Sequence, residues 1–138
     1  MTSVRAEIAT GPVLQRVLPR LVGVLSTRAS LPLDRLHDGL LIADALSSAS
    51  QAVLGDDALL TLEASGERNV TLRLGPLPRD QAEAMLARTA LPSAGPIVER
   101  LADVRVEEAP DRMASIVIVI APTPPNGTDT RATGPLDR

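Results

Sequence analysis

Few residues in this chain have side chains able to do chemistry. His37 is the single histidine, and histidine titrates near neutrality, so it is a potential general base or ligand. Its plainer reading is a half-exposed residue on the polar side of a helix. Asp44 and Ser48 stand four apart, which on a helix brings a carboxylate and a hydroxyl to one face. Oxygen ligands of that kind suit a hard cation; the same pair also reads as two solvated or capping groups. Ser47, Ser48 and Ser50 are possible modification sites, or small residues that let helices pack closely. Gly75, followed by Pro76 and Leu77, either shapes a pocket or ends a strand. Asp103 beside Arg100 and Arg105 reads as a surface charge cluster. No spacing argues for a Ser-His-Asp triad or for paired catalytic carboxylates.

Composition removes several classes of function. Without cysteine, disulfides, thiolate zinc sites and a cysteine nucleophile are excluded. A net charge of −3 with no Phe, Tyr or Trp argues against a nucleic-acid groove, which needs a basic patch and stacking surfaces. All 14 basic residues are arginine. Together with the missing aromatics and scarce Asn, this points to a GC-rich coding bias, so an arginine here is no sign of phosphate chemistry. No apolar run approaches a membrane-spanning length, and the first ten residues show no signal-peptide pattern. The expectation is a cytoplasmic protein that binds neither membrane nor nucleic acid.

These residues must be positioned by elements that the patterning makes visible. At 138 residues one domain is expected, large enough to bury a core of Leu, Val, Ile, Ala and Met. Val4, Ala6 and Ile8 alternate with polar residues as a strand does. Leu14, Val17, Leu18, Leu21, Val24 and Leu25 follow helical spacing, with Pro19 predicted to kink that helix or to mark its start. A second helix is predicted over Leu33–Leu54, with Asp34 in its first turn and Gly55-Asp56-Asp57 at its end. Its apolar stripe is Ile42, Leu46, Ala49 and Val53; His37, Asp44, Ser48 and Gln51 lie beside it.

Strands at 58–64 and 69–75 flank Ser65-Gly66-Glu67-Arg68 as a hairpin. A helix over 79–90, a loop over 91–96 and a short helix over 97–102 follow. A strand at 104–108 then leads to the β-branched run Met113–Ile120, which suits a central strand. Residues 121–138, rich in Pro, Thr and Gly, are expected to form a disordered tail, leaving a domain over 1–120. The order βααββααββ predicts an α/β (α+β) two-layer sandwich, with helices on one face of a mostly antiparallel sheet.

That order, with its long second helix, resembles the GHKL ATP-binding fold, and within it the anti-sigma factor serine kinases of bacteria. Residues 36–49 follow the hydrophobic rhythm of the family's N-box helix, and Asp38 matches the acidic residue before it. The resemblance covers roughly residues 4–120. It implies a Glu that activates the nucleophile and, four residues on, an Asn that holds Mg²⁺. In the favoured register those positions are Ala45 and Ala49, which can do neither. A register one residue earlier gives Asp44 and Ser48, but is expected to carry the apolar stripe out of phase with the core.

The family's Asp-x-Gly-x-Gly motif corresponds to the segment around Gly75, which takes the carboxylate's place, with Pro76 after it. Asp80 lies too far along to substitute. The glycine-rich lid reduces to Pro92-Ser93-Ala94-Gly95-Pro96. What the resemblance implies is a regulatory domain with a degenerate nucleotide site, whose weak cofactor contacts are Asp44, Ser48 and Gly75. It would act by binding a sigma factor or an anti-anti-sigma protein, and as a homodimer if it pairs as family members do. The alternatives are an active kinase that binds ATP with Mg²⁺ and phosphorylates a partner serine, and a structural interaction domain without nucleotide.

Overall fold

The computed structural model describes residues 2–91, 93 and 95–125. Its order is β1 (Thr2–Ala9), α1 (Pro12–Arg28), α2 (Leu33–Leu54), β2 (Leu59–Gly66), β3 (Val70–Pro78), α3 (Arg79–Arg88), β4 (Ala90–Leu91), β5 (Gly95–Pro96), α4 (Ile97–Leu101), β6 (Asp103–Ala109) and β7 (Met113–Ile120). The five long strands form one antiparallel sheet in the order β1-β2-β3-β7-β6. Period-two alternation sends Ile8, Leu60, Leu62, Leu72, Leu74, Ile116 and Ile118 to a single core with the helices. The two-layer α+β sandwich expected from the element order is therefore the observed architecture. β7 sits between β3 and β6, the central place its continuous β-branched run predicts.

The helices sort their faces by the same physics. α1 buries Leu14, Leu18, Val22 and Leu25, and α2 buries Ile42, Leu46 and Ala49, both at helical spacing. The two cross closely at Gly39, where a Cβ would stand 2.8 Å from Val22 Cγ1. α1 runs unbroken from Pro12 through Pro19 to Arg28; it does not start near Pro19. A proline at the helix start leaves no hydrogen bond unmade, because the first N–H groups have no intrahelical partner.

Three local expectations change. The β2–β3 hairpin is tighter than its sequence suggests, with Gly66 paired to Val70 across Glu67-Arg68-Asn69. Gly66 belongs to the strand through its pairing with Thr2 and Val70, and a Cβ there would meet Leu25 O at 3.1 Å. β3 continues past Gly75 to Pro78 by means of a bulge between Leu74 and Leu77. The segment read as a plain loop holds the two-residue pairing of β4 with β5, too short for any periodicity to reveal. At the C-terminal end, Ala121 is held by Arg35, so the first residue of the expected tail belongs to the fold. The remainder of that expectation, residues 126–138, lies outside the described residues.

Arg35 is the buried arginine among the described residues. It is only 2% exposed. It lies on the buried stripe of α2, one turn before Gly39 and two before Ile42. Its guanidinium donates to Ala121 O at 2.7 Å, Leu101 O at 2.6 Å and the Asp38 carboxylate at 2.7 Å. The planar fork of donors suits three separated acceptors, which a lysine does not. These bonds tie the start of α2 to the end of α4 and to the residue after β7.

Candidate functional site

α2 presents a second side, adjacent to its buried stripe. Leu41, Asp44, Ala45 and Ser48 line a groove whose far wall is Arg88 and Thr89 at the end of α3, with Leu91 and Ile97 beyond. Its volume is about 290 Å³, at the low end of the range for small-molecule sites. Asp44 and Ser48 are exposed at i, i+4, so carboxylate and hydroxyl point into the same space. Arg88 is exposed opposite them and makes no ion pair among the described residues. Thr89 is buried and spends its hydroxyl on Leu86 O at 2.6 Å, which finishes α3 and leaves the groove wall largely apolar.

The groove decides which i, i+4 pair of α2 shares a face toward it. Ala45 is half-buried and lines it, whereas Ala49 is 2% exposed and lies in the core. Asp44 and Ser48 both line it. Ile42, Leu46 and Ala49 stay buried while Asp44 and Ser48 are exposed. At 100° per residue, the positions two and six after Ile42 fall outside the core-facing arc without displacing it.

Other sequence candidates fall elsewhere. Gly75 does not line the groove. It sits in the β3 bulge at φ +122°, where a Cβ would come to 3.0 Å from Ala114 O and 3.2 Å from Ser115 Oγ. Only glycine takes that conformation at so close an approach. Ser47 and Ser50 are buried and donate to Ala43 O at 2.8 Å and Leu46 O at 2.7 Å; they are packing hydroxyls. His37 is exposed on α2 away from the groove. Asp80 is exposed in the first turn of α3, where its charge suits the helix dipole. Asp38 pairs with Arg35, and Arg105 pairs with Glu107 at 3.1 Å.

Pattern reading missed Arg88 as the cation facing Asp44 and Ser48. The signal for it is slight: a basic residue in the last turn of α3, which is common for dipole reasons alone. Chemically, the groove offers one carboxylate, one hydroxyl and one guanidinium over an apolar floor. No cluster of three or more His, Cys, Asp or Glu able to hold a metal occurs among the described residues. No protein-family model matches the chain, and no curated protein matches it either, so the groove is read from its own residues.

Proposed function

We propose that this chain is a regulatory domain of the anti-sigma, GHKL-like type that acts by binding a protein, with a nucleotide groove too depleted for phosphotransfer. The observation that carries the reading is the split between the groove and Gly75. A nucleotide site of that type needs a carboxylate for the adenine amine, at a position that the resemblance puts within β3. Here that position is Gly75, packed into a sheet bulge with no room for a side chain. The groove itself keeps a single acid, Asp44, and Arg88 opposite it is a natural partner for a carboxylate of another chain. With Gly75 in place of the adenine carboxylate and a single acid left in the groove, these residues are a poor match for a Mg-nucleotide. The partner class the resemblance implies is a sigma factor or an anti-anti-sigma protein, and self-pairing is compatible with it.

The test is a calorimetric titration of the full chain with ATP and Mg²⁺. Absence of micromolar binding is the expected result. Micromolar binding abolished by Asp44→Ala would overturn the reading. That outcome belongs to the second reading, an active serine kinase, which is favoured by one observation: Asp44 and Ser48 share the groove.

A further inference from the structure

α1 has a second face that nothing among the described residues covers. Val13, Val17 and Val24 recur with Arg16, Arg20 and Arg28 on one stripe, opposite the buried Leu14, Leu18, Val22 and Leu25. Val13 is 48% exposed and Val24 54%. The helix contains no acidic residue. None of its three arginines makes an ion pair among the described residues. At one edge of the stripe stands Gly23, and apart from its chain neighbours and the helix's own backbone no described atom lies within 4 Å of where its Cβ would be. A glycine inside a helix weakens it, and here no internal packing requires one. It leaves a shallow apolar groove of about 540 Å³, walled by Arg20, Val24, Thr27 and Arg28.

We propose that the outer face of α1 docks an acidic amphipathic helix of a partner protein. One apolar side chain of that helix sits over Gly23 between Arg20 and Val24, and its carboxylates pair with Arg16, Arg20 and Arg28. This is helix-on-helix recognition, read at i, i+4 and i+7. Three alternatives fit the face less well. A second copy related by a two-fold axis sets arginine against arginine. Residues 126–138 carry two Asp and two Arg, so they bring no net charge to match it. An anionic membrane surface has no discrete side chain for the notch at Gly23. The proposal rests on the reading that the chain works by binding a protein.

The experiment is an NMR titration of the full chain with a synthetic amphipathic helix, a Leu stripe bordered by Glu, and with its twin carrying Lys for Glu. The Glu peptide is expected to shift resonances of α1 alone, with an affinity that falls as salt is raised. The triple variant R16E/R20E/R28E should weaken it about tenfold or more. Gly23→Leu should also weaken it while the circular dichroism stays unchanged. R16Q/R20Q/R28Q gives the same readout with less charge disturbance, should the reversed variant fold poorly.

Equal binding of the Lys twin, or shifts confined to other elements, would overturn the proposal. So would binding to phosphatidylglycerol vesicles without binding to the Glu peptide, or a dimer in sedimentation that the α1 variants dissolve. A sigma-pathway partner bound equally by wild type and by R16E/R20E/R28E would sink the α1 assignment and leave protein binding standing. Micromolar Mg-ATP binding that requires Asp44 would instead sink the reading beneath it.

Discussion

The open face of the sheet and the outer face of α1 both turn arginine toward solvent, and they treat it in opposite ways. On the sheet, one row crosses all five strands as Arg5, Glu63, Arg73, Val117 and Arg105, each aligned with the next by register. Arg5 and Arg73 both meet Glu63, at 3.3 and 3.8 Å. Arg73 and Arg105 both meet Glu107, at 2.7 and 3.1 Å. Val117, between Arg73 and Arg105 by register, is 1% exposed although it faces away from the helices, which fits long side chains serving as cover. The sheet face thus satisfies itself. Among the described residues, α1 leaves Arg16, Arg20 and Arg28 without acids and three valines exposed. Charge alternation across strands pairs a surface with itself, whereas a stripe of one sign beside exposed apolar groups is the kind of surface the proposed partner helix would cover.

The largest test of that contrast takes arginine pairing to its buried limit. Arg35→Ala should cost about 3–5 kcal/mol, because it strands the Asp38 carboxylate and two part-buried carbonyls at once. Arg20→Ala on α1 should stay within about 0.5 kcal/mol. Urea unfolding of the two variants side by side checks both, and equal losses would erase the distinction. Next come the two glycines on opposite sides of α1. Gly39→Ala drives a methyl into Val22 and should destabilise by about 1–3 kcal/mol. Gly23→Ala meets open space and should stabilise the free chain by up to about 1 kcal/mol. Thermal melts that moved in the same direction for both would contradict the claim that only the inner side of α1 is packed.

A smaller effect is expected from Arg73→Ala, which removes the centre of the sheet row. Exposed pairs contribute little, so the loss should be about 0.2–1 kcal/mol and should shrink in high salt. The smallest is a pH effect at the same place. The hydrogen bond from Arg73 holds the Glu107 carboxyl below the usual glutamate range, and Arg105 adds to the lowering. A folded pKa below the unfolded one means stability that is present above the unfolded value and lost as pH falls through the folded one. Acid unfolding below the ordinary glutamate range should therefore be slightly less steep in Glu107→Gln than in wild type. No such difference would mean that the row is ornamental to stability.

Much of the framework was legible without a structure. The period of Ile42, Leu46 and Ala49 marked the buried side of α2, and alternation in 58–64 and 69–75 marked the hairpin, because burial imposes its period on local sequence. Where legibility failed, the reason was distance along the chain. Arg35 sits on the same stripe, but two of its three acceptors are 66 and 86 residues away, and its local partner Asp38 does not by itself distinguish a clamped arginine from a solvated one. The groove failed for the same reason: Asp44 and Ser48 were visible as a pair, while Arg88 and Ile97 reach them only through the packing of α3 and α4 on α2. Gly75 was visible as a glycine before a proline, but its packing was not. Its need for glycine comes from Ala114 O on the neighbouring strand, a contact that spacing within one strand does not encode.

Sequence by itself determined the two-layer order, the faces of the helices and the absence of cysteine chemistry, since each follows from residue type and short-range period. Tertiary structure alone decided which polar residues meet and which remain unpartnered. It closed Arg35 into the core, joined the sheet's charges into a row, set Asp44 and Ser48 across from Arg88, and left the arginines of α1 open. Pairing is a property of three-dimensional neighbours, and one strand order or one helix crossing fixes all of them together.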